Sequence, residues 1–153
     1  WTDSYMQSSL RAIVNENCPD QTLSALKGAG GIAVRAGSKL EDILLQDEAM
    51  SAIHIYACDT FELAETAFIK DYAEALGCHE AVLQQIMKNY PGNYRFLEAT
   101  ILKVDLGVAF RKEDSSSLCE SINQALQDMK ADGTLQQIID HYTIDDTSEE
   151  ADR

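Results

Sequence analysis

The sequence has few basic residues. Its 153 residues include 12 lysines and arginines against 26 aspartates and glutamates, so that the formal net charge is −14. A nucleic-acid-binding protein needs a basic stripe to displace counterions from the phosphates, and the few cations form none. An anionic membrane surface would repel the chain for the same reason. The composition therefore argues against nucleic acid and a charged membrane surface as partners.

Long apolar segments are also missing. No run approaches the roughly 20 residues that a membrane-spanning helix needs. Residues 1–4 (WTDS) have neither the basic start nor the apolar stretch of a signal peptide, so we expect the chain to begin within a longer protein or after processing. The length fits one domain, or one full lobe plus part of another, and 45% hydrophobic content is typical of a globular fold.

Catalytic and metal-binding motifs are absent as well. There is no G-x-S-x-G, phosphate loop or H-E-x-x-H motif, and no C-x-x-C pair. The three histidines, His54, His79 and His141, do not have metal-ligand spacing with one another or with a cysteine. We therefore predict no enzyme activity, no metal site and no cofactor. The four cysteines, Cys18, Cys58, Cys78 and Cys119, leave two alternatives open, disulfides in an oxidising compartment or free buried thiols.

Strand and helix patterns alternate along the chain, as in a fold with a parallel sheet. The predicted strands are 8–15, 31–35, 52–57, 94–97 and 106–110. A short helix is predicted over 22–27 and another from Ser38, which opens an S-x-x-E capping box. Between Thr60 and Tyr90 the apolar spacing is helical throughout, with a break at Gly77. Two helices, from Ser117 and after Gly133, are predicted to end the fold.

The turn Ala36-Gly37-Ser38 is the clearest candidate site. A glycine before a helix lets the backbone approach a ligand, and the free N–H groups at a helix start favour an anion such as a carboxylate. Arg35 adds a positive charge next to this turn. The alternative is an ordinary capped helix that binds nothing.

Several segments resemble a known family. They are 106–114 (LGVAFRKED), 122–126 (INQAL), 130–134 (KADGT) and 138–142 (IIDHY) near the end, and 5–14, 22–28 and 32–38 nearer the start. In combination they resemble family 3 extracellular solute-binding proteins, the polar amino-acid receptors of ABC importers. The resemblance covers nearly the whole chain except 60–90.

The resemblance implies a type II periplasmic-binding-protein-like α/β fold, in which two lobes close on a ligand. The implied domains are a hinge-crossing strand and turn of lobe one (1–20), lobe two with a central, mostly parallel sheet flanked by helices (21–99), a return crossing with the C-terminal helix pair of lobe one (100–144), and an acidic tail (145–153). The implied function is a periplasmic or extracytoplasmic receptor that captures a small polar solute, such as an amino acid, and delivers it to a membrane permease.

Two ligand-binding positions follow from the resemblance. Gly37 and Ser38 match the glycine and hydroxyl residue that hold a ligand's carboxylate. The family also has an aspartate at the end of a lobe-two strand, which accepts hydrogen bonds from the α-ammonium. Asp71, in a segment similar to that strand, is the predicted counterpart, and a competing alignment places Gln85 there instead.

Other interpretations stay open at this stage. The chain could be a sensory domain of a membrane signalling protein, an enzyme on the same fold such as a dehydratase with His79 or Glu80 in the cleft, or a degenerate lobe without a ligand. An incomplete lobe would leave strand edges unpaired, which can promote dimerisation.

Overall fold

The computed structural model describes residues 1–26, 30–111 and 117–143. The described strands are β1 (Met6–Asn15), β2 (Ile32–Arg35), β3 (Ile55–Cys58), β4 (Ala75–His79), β5 (Tyr94–Phe96) and β6 (Leu102–Leu106). The helices are α1 (Lys39–Gln46), α2 (Phe61–Ile69), α3 (Glu80–Asn89), α4 (Leu118–Ala131) and α5 (Thr134–Thr143), with short 3₁₀ turns at Leu23–Ala25 and Glu48–Met50. The predicted acidic tail, 145–153, lies outside the described residues.

These strands form one open sheet with helices on both faces, which confirms the predicted α/β fold class. The strand order is β3-β2-β4-β1-β5, and β6 pairs with β1. Parallel pairing is confined to β3, β2 and β4, whereas β1 runs antiparallel to β4 and to β5. The strand–helix–strand connections from β2 to β4 account for the parallel part.

Alternating side chains of the sheet enter two separate cores. In β2, Ile32 and Val34 pack in one cluster with Leu44 of α1. Ala33 points to the other cluster, which contains Phe68 of α2. This period of two places α1 on one face of the sheet, and α2 and α3 on the other.

The chain divides into two compact units. Residues Ser8–Val104 form one, which we call the sheet unit, and Trp1–Gln7 with the described part of Asp105–Arg153 forms the other, the helical unit. Among the described residues of the helical unit, only Thr2 and Leu135 are buried. In that unit the Asp3 N–H donates to Asn123 Oδ1 at 2.8 Å, and the Lys130 ammonium donates to the Ser4 carbonyl at 2.5 Å.

The segment 60–90 corrects the sequence prediction most strongly. It was predicted to be helical throughout, but α2 ends at Ile69 and β4 follows, with Gly77 at its centre rather than at a helix end. Alanine, leucine and glutamate dominate 73–76, and these residues favour helices in isolation. Pairing with β1 and β2 overrides that local preference.

Smaller corrections concern boundaries and caps. The last strand, β6, ends at Leu106, so the strand predicted over 106–110 is displaced by about four residues. Strand β3 begins at Ile55 rather than at Ala52. Ser117 precedes α4, as the sequence predicts, but makes no side-chain capping bond. Gly133, with φ +83°, separates α4 from α5 as predicted.

Candidate functional site

A cleft of about 260 Å³ lies at the carboxyl ends of β2 and β4. It is lined by Leu10, Arg35, Ser38, Lys39, Leu40, Phe61, Gly77, Cys78, His79 and Val82, all of which belong to the sheet unit. We call it the β2–β4 cleft. Its volume lies just below the range of about 300–1,000 Å³ that is typical of ligand pockets, which suits a small solute.

The strand order explains why the cleft forms at this edge. Strands β2 and β4 are parallel neighbours, but the helices that follow them lie on opposite faces, since Leu44 of α1 and Leu83 of α3 belong to different cores. Two connections that leave in opposite directions open a crevice between the strand ends. In open α/β sheets this is where ligands bind.

The candidate turn at Gly37 and Ser38 forms one wall of the cleft. Gly37 has φ +69°, a conformation that glycine adopts readily, and Ser38 is the N-cap of α1. The Ser38 hydroxyl oxygen accepts the Glu41 N–H at 3.2 Å, and the Glu41 carboxylate accepts the Gly37 N–H at 2.6 Å. The predicted N-cap bond of Ser38 is therefore present, but Glu41 bonds the N–H of Gly37, one residue before the N-cap, instead of the Ser38 N–H that a capping box uses. The Ser38 hydroxyl hydrogen is still able to donate to a ligand.

Two cations stand beside this turn. Arg35 ends β2, Lys39 begins α1, and both are exposed side chains that line the cleft. Glu62 lies near Arg35: hydrogen bonds from its own N–H and from the Thr60 hydroxyl lower the pKa of the Glu62 carboxyl, and the Arg35 charge lowers it further. The wall formed after β2 is thus rich in donors and positive charge, the chemistry that binds a carboxylate.

The opposite wall contains residues to which the sequence prediction gave no ligand role. His79 ends β4, lines the cleft half-buried, and its Nδ1 lies 3.1 Å from the Ser8 hydroxyl. Cys78 lies next to it, and burial raises the pKa of its thiol. A thiol with a raised pKa is a poor nucleophile, so Cys78 is suited to packing rather than to catalysis. The sequence feature that could have indicated this wall is the Gly77-Cys78-His79 segment, which comes before a segment with helical apolar spacing.

Gly77 forms the floor of the cleft. A Cβ at this position would lie 2.5 Å from Leu40 Cδ2 and 3.0 Å from Ile32 Cδ1, both of which are buried. Leu40 can therefore pack directly over β4 only because residue 77 has no side chain. This close contact joins the start of α1, and with it the Ser38 wall, to β4.

The structure does not bring Asp71 to the cleft. It was predicted to follow a strand, but it lies in the turn that ends α2, with φ +58°. Its N–H donates to the Phe68 carbonyl and the Tyr72 N–H to the Ala67 carbonyl, the bonds of a Schellman helix end. Since this turn precedes β4, Asp71 lies near the amino end of that strand, and the cleft lies at its carboxyl end. The alternative, Gln85, is exposed on α3 and does not line the cleft either.

A partly buried ion pair lies next to the end of β4 and stabilises that wall of the cleft. The Arg11 guanidinium bonds Glu80 Oε1 at 2.9 Å and the Leu97 carbonyl at 3.1 Å, and it lies 4.1 Å from the centre of the Phe96 ring. Glu80 is the first residue of α3, where its charge also complements the helix dipole. The pair fixes the start of α3 against β1 and β5.

We predict that Arg11→Ala lowers the free energy of unfolding by about 2–3 kcal/mol, because it removes charged hydrogen bonds and a cation–π contact together. Glu80→Gln should cost less than about 1 kcal/mol, since it keeps an acceptor and the pair is partly exposed. Urea unfolding followed by circular dichroism measures both. Equal losses for the two variants would mean that the ion pair alone, rather than the three Arg11 contacts, determines the effect.

One further cluster of potential ligand atoms lies away from the cleft. Cys18, Asp20 and Glu74 have ligand atoms within 4.8 Å of one another. The Cys18 thiol donates to Glu74 at 3.5 Å, and burial, followed by that bond and the nearby carboxylates, raises the pKa of the thiol. Metal binding requires the thiolate, which the raised pKa makes less available. All four cysteines are free thiols in the structure.

Comparison with known families identifies the chain. Residues 2–145 match the model of family 3 bacterial extracellular solute-binding proteins. The chain belongs to this family, which confirms the resemblance found in the sequence. No helix among the described residues is long and apolar enough to cross a membrane. No curated protein matches the sequence.

Solved structures agree with this assignment. An ancestral arginine-binding protein bound to glutamine is 26% identical, with a TM-score of 0.77 over 92% of this chain and 62% of that protein. A putative binding component of an ABC transporter from Wolinella succinogenes, complexed with lysine, is 16% identical, with a TM-score of 0.79 over 96% of this chain and 64% of that protein.

A third solved structure is an ancestral amino-acid-binding protein described as a precursor of cyclohexadienyl dehydratase. It is 21% identical, with a TM-score of 0.75 over 93% of this chain and 60% of that protein. The chain thus spans less than two thirds of the length of each of the three proteins. At identities below 25%, the likeness to the second and third proteins concerns the fold alone.

Proposed function

We propose that the β2–β4 cleft holds the carboxylate of a small polar solute, and that the chain acts in a receptor that delivers this solute to a membrane permease. The observation that carries the proposal is the convergence of Arg35, Ser38 and Lys39 on a cleft at the carboxyl edge of a parallel sheet. Arg35 and Lys39 supply charge to a carboxylate, and the Ser38 hydroxyl supplies orientation.

Backbone donors add to this carboxylate site. At the start of α1 the Gly37 N–H is taken by Glu41 and the Ser38 N–H by the Arg35 carbonyl at 3.3 Å. The donors that remain are those of Lys39 and Leu40, the first two helical residues, which have no partner inside a helix. They point toward the N-terminal side of α1, where the helix dipole favours an anion.

The proposed receptor works with two lobes. We propose that the sheet unit is lobe two, and that the described part of the helical unit belongs to lobe one. Support comes from the chain path, which passes between the units within β1 and within β6. The small number of buried residues in the helical unit also fits a lobe that is only partly present in this chain. A receptor of this kind acts outside the cytoplasm, next to its permease.

Amino acids are the first compounds to test, because glutamine and lysine are the ligands in two of the similar structures. We expect binding without chemical change. The cleft contains no activated nucleophile, and Cys78 has a raised rather than a lowered pKa. A dehydratase would need a positioned acid or base, for which His79 is the candidate in the cleft, and incubation with candidate substrates would reveal such an activity by the product formed.

The test is a thermal-shift screen of the full-length gene product against small carboxylates, including the amino acids. A ligand at 100 times its Kd stabilises the folded state by about 2.7 kcal/mol, which corresponds to a shift of several degrees in Tm. We expect at least one carboxylate to produce such a shift. Compounds of similar size without a carboxylate, both uncharged sugars and cationic polyamines, should produce none. A screen in which only compounds without a carboxylate shift the Tm would contradict the proposal.

A further inference from the structure

The charges of the β2–β4 cleft are unusual for this chain. The sequence has 26 acidic residues, yet the ten residues that line the cleft include Arg35, Lys39 and His79 and no aspartate or glutamate. The lining that this chain supplies thus offers a ligand positive charge and hydrogen-bond donors but no carboxylate.

Three acidic residues directly follow lining residues in the sequence, and their carboxylates are engaged by other donors. Glu80 follows His79 directly, but its carboxylate is held at 2.9 Å by Arg11. Glu41 faces the turn before α1, where its carboxylate accepts the Gly37 N–H at 2.6 Å. Glu62, the third, is exposed near Arg35 and accepts hydrogen bonds from its own N–H and the Thr60 hydroxyl. Each carboxylate already has a donor, and none lines the cleft.

His79 stands where an ammonium acceptor would be expected. The resemblance implies an aspartate at the end of a lobe-two strand that accepts hydrogen bonds from a ligand's α-ammonium, and β4 is the strand that ends beside the Ser38 wall. The residue at its end is His79. An imidazole is neutral or cationic and never anionic, and its Nδ1 is already in contact with the Ser8 hydroxyl. Nε2 is the ring nitrogen that is left for a ligand.

We propose that this cleft selects small carboxylic acids that lack an α-ammonium group, such as hydroxy acids, keto acids and dicarboxylates. One carboxylate binds at Arg35, Ser38 and Lys39. In the tautomer in which the Ser8 hydroxyl donates to Nδ1, the Nε2–H of His79 donates to a hydroxyl, keto or second carboxylate oxygen of the ligand. In that tautomer an α-ammonium at the same point would meet an N–H donor instead of a carboxylate acceptor. The inference rests on the proposed function and narrows it to one ligand class.

Matched pairs of ligands test this selection. Calorimetric titrations of the full-length gene product would compare L-malate with L-aspartate, L-lactate with L-alanine, and α-ketoglutarate with L-glutamate. We expect the acid without the ammonium to bind at least about tenfold more tightly within a pair. If the amino acid binds more tightly in every pair that binds, the inference is wrong although the proposed function stands. If no carboxylate binds, both are wrong.

The variant His79→Asp supplies the missing negative charge. It should reverse the preference, so that the amino acid of the best pair gains about tenfold or more relative to its partner. His79→Asn is the matched control, since it has nearly the same shape as aspartate without the charge, and it should not reverse the preference. Circular dichroism checks that both variants fold. An aspartate variant that folds and keeps the wild-type preference would show that residue 79 does not face the α-substituent.

Discussion

Gly31→Ala is expected to lower the free energy of unfolding of the sheet unit by about 3 kcal/mol or more. Gly31 has φ +50°, and an added Cβ would lie 2.1 Å from the His54 carbonyl oxygen. The conformation alone costs an alanine about 1–2 kcal/mol, and forcing atoms into a packed site costs about 1–3 kcal/mol more. The obstructing atom is backbone that accepts the Ile32 N–H at 2.9 Å, so it cannot move without disturbing the β2–β3 pairing.

Gly37→Ala is the matched control for this prediction. Gly37 also has a positive φ, +69°, but nothing lies within 4 Å of the position of an added Cβ. It should therefore cost only the conformational part, about 1–2 kcal/mol. Urea unfolding of both variants, followed by circular dichroism, separates the cost of the positive-φ conformation from the cost of the steric overlap. If the two variants lose the same amount of stability, the close approach of Gly31 to His54 is not the cause.

Much of the fold could be predicted from the sequence because local signals agreed with the tertiary structure. Strand β2 is a short apolar run before a glycine turn, and α1 begins at the predicted N-cap, Ser38, whose bond from the Glu41 N–H is present in the structure. The helical stripe with Leu83 and Ile86 corresponds to α3, where both residues are buried. In such segments periodicity and caps reflect the burial that the final fold provides.

Strand β4 could not be predicted because its local and tertiary preferences conflict. Its residues Ala75, Leu76 and Gly77 continue the helical spacing of α2, and nothing in this short run alternates between apolar and polar. The strand is buried on both faces, with Ala75 in one core and Leu76 in the other. A strand covered on both faces loses the period of two by which exposed strands are found.

The missed strand also explains the missed ligand residue. Without β4, the strand-end position was assigned to Asp71, which in fact ends a helix at the other edge of the sheet. The sequence indicated His79 only as a catalytic alternative, and it becomes a ligand-binding candidate when β4 is seen to run parallel to β2, so that both strands end at the same cleft. The Ser38 wall was found because its turn and cap are local features of the sequence. The opposite wall depends on pairing between distant segments, which periodicity does not report.

Ser38→Asp is expected to abolish ligand binding while leaving α1 intact. Aspartate is as good an N-cap as serine, so it can still accept the Glu41 N–H. Its negative charge, however, would lie where the ligand's carboxylate is proposed to bind. Juxtaposed like charges cost several kcal/mol, which corresponds to a loss of affinity of about 100-fold or more. This loss would be the largest binding effect of any single substitution considered for the cleft.

The most direct test of the carboxylate site is a calorimetric titration of the best carboxylate from the thermal screen into wild type, Ser38→Asp and Ser51→Asp full-length protein. Ser51 is exposed and precedes β3, so the same substitution there adds an equal charge at the opposite edge of the sheet. The structure predicts unchanged binding for Ser51→Asp and a loss of about 100-fold or more for Ser38→Asp. Wild-type affinity in a folded Ser38→Asp protein would contradict binding of the carboxylate in the β2–β4 cleft.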